Sequence, residues 1–233
     1  MPTTTEAATE SSTSFVNIVV SFFAEGGPFM YIIFFVFLVG MAISLERFIY
    51  LNLTQNRNQA IWKKLFPLLT QGNFKAAMDE AKTSSAAIGK ILSYGLSRSA
   101  YATRTDEIEM AMEEGLLEAI PSLERRTHYI ATFANIATLL GLLGTIMGLI
   151  NAFTAVANAD PAQKADLLSA SISVAMNTTA FGLMAAIPLL LTFAYLQSKT
   201  NQLVDSMEMA SVKFLNVFRQ VQQAKKAQQT KSA

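Results

Sequence analysis

The chain has 233 residues, of which 52% are hydrophobic and only 15% are charged, and the apolar residues are concentrated in three blocks. Such a composition excludes an ordinary soluble domain and indicates an integral membrane protein with three spans of about 20 residues each. A net charge of +1 gives no reason to expect nucleic acid as a partner. The absence of cysteine excludes disulfides, thiolate metal sites and cysteine nucleophiles.

The predicted fold class is an all-α membrane protein with three transmembrane helices and long cytoplasmic helical extensions. The opening segment is Ser/Thr-rich, and residues 15–24 are predicted to form a helix in the outer interface, with an N-terminal extension of the first span as the alternative. The predicted segments, in chain order, are a periplasmic N-terminus (1–27), the first transmembrane helix (28–50), a cytoplasmic helical region (51–128), the second transmembrane helix (129–155), a periplasmic loop (156–167), the third transmembrane helix (168–198) and a cytoplasmic helix and tail (199–233).

Apolar residues in the cytoplasmic region recur at steps of three and four, which predicts amphipathic helices. Gly72-Asn73 separates the first two of these short helices, and Ser84-Ser85 precedes a third. The last one is predicted to run without a break from 105 to 155, with at most a kink at Pro121, over about 75 Å. A helix of that length needs neighbours, so we expect the second and third spans to oligomerise.

The distribution of Lys and Arg predicts the orientation in the membrane. None of the 18 precedes Arg47, ten lie from Arg57 to Arg126, one is Lys164, and six follow from Lys199 onward. Short cytoplasmic flanks are enriched in basic residues. We therefore expect the N-terminus and the 156–167 loop on the periplasmic side of a bacterial inner membrane, and the C-terminus in the cytoplasm.

The second and third spans carry small and hydroxyl residues but no charge. Gly141, Gly144 and Gly148 lie three and four residues apart, a spacing typical of closely packed membrane helices, and Gly182 and Pro188 lie in the third span. The hydroxyl residues at comparable depth are Thr145, Thr178 and Thr179. Each has two interpretations, an ion-path oxygen or a hydroxyl bonded to the carbonyl one turn earlier in its own helix.

Neither of these two spans contains Asp, Glu, Lys, Arg or His. A proton relay within hydrocarbon normally needs an ionisable group, so this subunit is expected to work with a partner that supplies one. Glu46 and Arg47, at the inner end of the first span, are predicted to form an interfacial ion pair or anchor. The sequence offers no catalytic constellation, phosphate loop or metal cluster, so neither enzymatic activity nor a cofactor is expected.

Four motifs give the chain a resemblance to the MotA/TolQ/ExbB proton-channel family, and in particular to its ExbB-like and TolQ-like branch. They are Ser-Leu-Glu-Arg-Phe at 44–48, Gly-Asn-Phe-Lys-Ala-Ala-Met at 72–78, Gly-Leu-Leu-Gly-Thr at 141–145 and Thr-Thr-Ala-Phe-Gly-Leu-Met-Ala-Ala-Ile-Pro at 178–188. The resemblance implies a homopentamer whose second and third spans line a central pore. It also implies an ExbD-like or TolR-like single-span dimer within that pore, supplying a membrane Asp, and a TonB-like protein as a further partner.

The resemblance also assigns residues. Thr145 and Thr179 match the pore threonines of the family, whereas Val174 stands where its ExbB-like and TolQ-like members usually carry Glu. The run Val-Ala-Met-Asn-Thr-Thr at 174–179 is similar to the pattern of sodium-driven stators. This departure favours Na⁺ as the transported ion, with H⁺ as the alternative. The implied function is energised transport, envelope maintenance, gliding or flagellar rotation; the competing hypothesis is a non-conducting scaffold for a cytoplasmic helical assembly.

Overall fold

The computed structural model describes residues 22–23, 26–102, 104–157 and 159–232, with side chains as far as Ala224. All regular secondary structure in these ranges is α-helical, in agreement with the predicted fold class. Six helices follow one another: α1 (Pro28–Thr70), α2 (Phe74–Thr83), α3 (Ala87–Ser99), α4 (Thr105–Glu124), α5 (Thr127–Ala157) and α6 (Lys164–Ser232). The predicted interfacial helix over 15–24 lies outside the described residues except for Phe22 and Phe23.

Three stretches are long and apolar enough to cross a membrane, and they lie in α1, α5 and α6. Their mean hydropathy values are 2.3, 1.9 and 1.9 over the most apolar window of each. Only 22 to 28% of each window is buried inside the isolated chain. Exposed apolar surface of this extent requires lipid or further protein to cover it.

The end of α1 shows how a local motif terminates a long helix. Gly72 has φ +73°, its N–H donates to the Leu69 carbonyl at 2.9 Å, and the Asn73 N–H donates to the Leu68 carbonyl at 3.0 Å. This is the Schellman arrangement, which glycine accommodates without a steric penalty. The Asn73 side chain then caps α2 by accepting from the Ala76 N–H at 3.2 Å. The predicted break at Gly72-Asn73 is therefore present, although the short helix expected before it belongs to α1.

The prediction of one unbroken helix from 105 to 155 is wrong at two residues. Helix α4 ends at Glu124 and α5 begins at Thr127, and between them Arg126 adopts a φ of +67°. A left-handed non-glycine residue interrupts the helical hydrogen-bond ladder, so the carbonyls at the end of α4 need other donors. The Arg47 side chain supplies one, since its Nη2 donates to the Leu123 carbonyl. Pro121 lies within α4 and does not end it.

The chain divides into two compact units. The first contains the described part of Met1–Ser44 together with His128–Ala194, and its core is formed by Ile33, Ala137 and Ala185. The second contains Leu45–Thr127 and the chain from Tyr195 onward. Fully buried side chains in its core include Leu65, Leu92, Ile108, Met112 and Phe214.

Candidate functional site

The first unit brings α5 and α6 together along their small residues. A Cβ atom added to Gly182 would lie 2.8 Å from the Ala137 carbonyl oxygen and 3.0 Å from the Gly141 Cα. A Cβ added to Gly148 would lie 2.7 Å from the Ala175 Cβ. The two backbones therefore touch where glycine leaves no side chain between them, which is the packing that such spacing permits in a membrane.

Thr178 lies at the centre of this contact and is only 2% exposed. Its methyl group fills the space beside Gly144, so that any side chain added at that glycine would overlap it. Its hydroxyl lies 2.8 Å from the Val174 carbonyl oxygen and 2.7 Å from the Gly26 carbonyl oxygen. The single hydroxyl proton is thus shared between an acceptor one turn earlier in α6 and an acceptor just before α1.

Thr179 and Thr145 are partly exposed and use their hydroxyls differently. The Thr179 hydroxyl donates across the helix contact to the Gly141 carbonyl at 2.9 Å, whereas the Thr145 hydroxyl donates within α5 to the Leu142 carbonyl at 2.6 Å. A hydroxyl that donates its proton in this way keeps lone pairs that can still accept a hydrogen bond or face a cation. The site is therefore a set of neutral oxygen acceptors.

A short segment before α1 packs against the same part of α6. The rings of Phe23 and Phe181 have centroids 4.9 Å apart in an edge-on arrangement, and Phe22 also contacts Phe181, at 6.2 Å. Gly27 adopts a φ of +73°, and a Cβ there would lie 3.4 Å from the Val174 Cγ1. The half-buried Val174 side chain is thus next to this turn. These contacts could not be predicted from the sequence, in which only the aromatic residues of the segment hint at them.

Pro188 and Gly40 lie further along the helices of the first unit. Helix α6 continues through Pro188, whose carbonyl accepts from the Thr192 hydroxyl at 2.8 Å. Leu189 packs on Gly40, where an added Cβ would lie 2.9 Å from the Leu189 Cδ1. Pro188 is therefore placed outside the group formed by the glycines and the Thr178-Thr179 pair.

Glu46 and Arg47 belong to the second unit and point to different partners. Arg47 is 3% exposed, donates to the Leu123 carbonyl and has its guanidinium carbon 4.8 Å from the centroid of the Tyr50 ring. A Glu46 carboxylate oxygen lies 3.7 Å from Nη1 of Arg126. Arg47 therefore contacts the end of α4, and Glu46 contacts the turn between α4 and α5. Each residue uses a partner in this region rather than pairing with the other.

Comparison with known proteins agrees with this architecture. A model of the MotA/TolQ/ExbB proton channel family matches residues 83–209, more than half of the chain. The biopolymer transport protein ExbB homolog of Methanothermobacter thermautotrophicus is 29% identical over 84% of this chain and 69% of its own length. The biopolymer transport protein ExbB-like 1 of a Synechocystis species is 25% identical over 85% of this chain and 78% of its own length. The Tol-Pal system protein TolQ of Haemophilus influenzae is 35% identical over 39% of this chain and 40% of its own length. The chain belongs to the MotA/TolQ/ExbB proton channel family.

Proposed function

We propose that this chain is the channel and stator subunit of an ion-driven motor of the ExbB/TolQ type in a bacterial inner membrane. Five copies would surround an ExbD-like or TolR-like single-span dimer, and a TonB-like protein would receive the force. The observation that carries the proposal is the group of hydroxyl oxygens, from Thr145, Thr178 and Thr179, in spans that contain no charged residue.

The physical argument starts from the cost of a charge in hydrocarbon. An isolated carboxylate at the bilayer centre is destabilised by several kcal/mol, roughly 3 on insertion scales, unless it is protonated, paired or solvated. A partner helix with an Asp would face neutral oxygens on the surrounding subunits, and these can solvate an ion without trapping it. Binding and release of the ion would then switch the partner between a neutral and a charged state, and the two states favour different positions within the ring.

The ion is proposed to be Na⁺, with H⁺ as the alternative. Val174 supplies no carboxylate beside the threonines, and hydroxyl and carbonyl oxygens are ligands that suit a hard cation. The same oxygens could order water for proton transfer. The proposed orientation, with the N-terminus periplasmic and the C-terminus cytoplasmic, follows from the strong excess of Lys and Arg between the first two spans and after the third.

The test uses the complex of this chain with its single-span partner, reconstituted in liposomes. Thr179→Val removes the hydroxyl and Thr179→Ser retains it. Thr192→Val is the control, because it removes a hydroxyl that donates to a carbonyl within α6, away from the contact with α5. We expect ion flux to fall at least tenfold in Thr179→Val alone, with the ring still assembled. Flux at the wild-type level in that variant would refute the ion-path role. Replacing Na⁺ by K⁺ at constant pH decides the ion, because unchanged activity would exclude Na⁺.

A second function is favoured by one specific observation. Thr178 is almost fully buried, and all three threonine hydroxyls bond to backbone carbonyls, as they would in a scaffold that only holds helices together. A scaffold predicts that Thr179→Val reduces ring assembly and that the wild-type complex conducts no ion. The motor predicts that Thr179→Val still assembles the ring and that the wild-type complex conducts ions.

A further inference from the structure

The second unit contains a cleft of about 230 Å³ between α1 and α6, with Ile88 of α3 at its wall. Lys199 and Lys213 lie along it, together with several side-chain amides, and none of its lining residues is Asp or Glu. Apart from Ser206, the remaining wall is apolar and includes Trp62 and Met209, the latter 54% exposed. The cleft is therefore suited to a partner surface that carries carboxylates beside apolar side chains.

One lining residue has an unmet hydrogen-bonding requirement. Asn58 is only 2% exposed, and its Oδ1 accepts from the Ile88 N–H at 3.3 Å. Its Nδ2 is buried and has no hydrogen-bond partner in the described part of the chain. A buried donor without an acceptor destabilises the chain, so docking that brings an acceptor to Asn58 Nδ2 would be favoured.

The complementary surface is on α4. Its 20 residues include seven Asp or Glu and no Lys or Arg. Asp106 pairs with Arg104 at 2.7 Å, but Glu113 and Glu114 are exposed and form no ion pair with any residue that the structure describes. Met110 and Leu117, 66% and 62% exposed, lie one turn to either side of these carboxylates and on the same face.

We propose that this acidic face of α4 docks into the α1–α6 cleft of a neighbouring copy of the chain. A carboxylate of the face would pair with Lys213, while Met110 and Leu117 would cover the apolar wall. A small opening of the cleft on docking would let a carboxylate oxygen accept from Asn58 Nδ2, which is closed off in the isolated chain. No α4 residue lines the cleft, so the two surfaces occupy separate places on one unit. Such a pair makes a head-to-tail contact, which closes into a ring when the rotation permits. The inference rests on the proposed ring of identical subunits and specifies one of its interfaces.

The first experiment exploits the absence of cysteine from the chain. Glu114→Cys and Met209→Cys are introduced together into the full chain in membranes, and mild oxidation is followed by non-reducing electrophoresis. A disulfide needs Cα atoms about 4.4–6.8 Å apart, so it forms only where the two surfaces meet. Each copy offers one cysteine to each neighbour, so we expect a ladder of linked copies that ends at the ring size. The control combines Glu114→Cys with Lys82→Cys, an exposed residue on α2 that does not line the cleft. The proposal would be overturned if the control gave an equal ladder. It would also be overturned if the cysteines formed disulfides only with a different protein and none between copies of the chain.

The second experiment reverses charges. Lys213→Glu and Glu113→Lys, each alone, place like charges together and should lower the cross-linking yield at least about tenfold, whereas the double variant should restore it. Native mass spectrometry of the wild-type complex separates this inference from the proposed function. A pentamer without the disulfide ladder refutes the interface and leaves the motor standing. A chain that never forms a ring refutes both.

Discussion

Gly182→Ala tests whether the close approach of α5 and α6 has the stabilising role that the structure gives it. The added Cβ would lie 2.8 Å from the Ala137 carbonyl oxygen and 3.0 Å from the Gly141 Cα, several tenths of an ångström inside ordinary contact distance. Both obstacles are backbone atoms of a helix, so neither can turn aside as a side chain would. The helices must separate, and overpacking of this kind costs about 1–3 kcal/mol. Separation also lengthens the Thr179–Gly141 hydrogen bond, which adds about 0.6 kcal/mol at the value typical of membrane proteins.

The assay is reversible unfolding of the purified chain in mixed micelles with increasing denaturing detergent. Gly40→Ala is the matched control, because the close contacts of its added Cβ, at 2.9 and 3.0 Å, are with the tip of the flexible Leu189 side chain, and the Phe133 Cβ lies at an ordinary 3.4 Å. We expect Gly182→Ala to lower the free energy of unfolding by about 1.5–3.5 kcal/mol, and Gly40→Ala by less than about 1 kcal/mol. Equal effects at the two positions would show that backbone contact does not limit this packing, and would refute the reasoning.

Two further predictions concern the second unit. Arg47→Ala removes the charged donor to the Leu123 carbonyl at the end of α4 and should lower the free energy of unfolding by about 1.5–3 kcal/mol, whereas Arg57→Ala, at an exposed position, should change it by less than about 0.5 kcal/mol; equal losses would contradict the capping role. The hydrogen bond to Glu118 and the negative charge of that group raise the pKa of Tyr94 above 10.0. The folded chain therefore keeps this proton when the unfolded chain loses it, so the stabilisation is present below about pH 10 and disappears as the pH rises through the folded-state pKa. Glu118→Gln should return the alkaline ultraviolet titration of Tyr94, isolated by subtracting Tyr94→Phe, towards pH 10, and an unchanged titration would contradict the assignment.

The helix contact of the first unit could be anticipated because its information is local. Glycines at 141, 144 and 148 share one side of a helix by spacing alone, and small residues at that spacing let two helix backbones approach closely. Their partners at Thr178 and Gly182 follow from the same periodicity in α6. For the threonines, the sequence left two interpretations of each hydroxyl, and the structure shows Thr179 bonding across to α5 rather than within α6.

The features that could not be predicted depend on residues distant in sequence. The break at Arg125-Arg126 lies in a polar stretch without glycine, and the buried guanidinium of Arg47, 76 positions from Leu123, bonds to the end of α4. The contact of Phe23 with Phe181 likewise joins segments about 160 residues apart. Periodicity within one segment carries no information about such pairings.

The threonine hydroxyls of the first unit have a consequence for how a proton could travel. Relay along a chain of hydroxyls requires each member to receive a proton on one side and release its own on the other. The hydroxyls of Thr145, Thr178 and Thr179 have their protons directed at backbone carbonyls, which have no proton to exchange and cannot pass one on. In the proposed motor these side chains would stabilise an ion or orient water, whereas a moving proton would have to be carried by water or by the carboxylate of the proposed partner. Under that proposal, Thr145, Thr178 and Thr179 would line the ion path with fixed hydroxyl oxygens, and the groups that exchange a proton would be water and the partner.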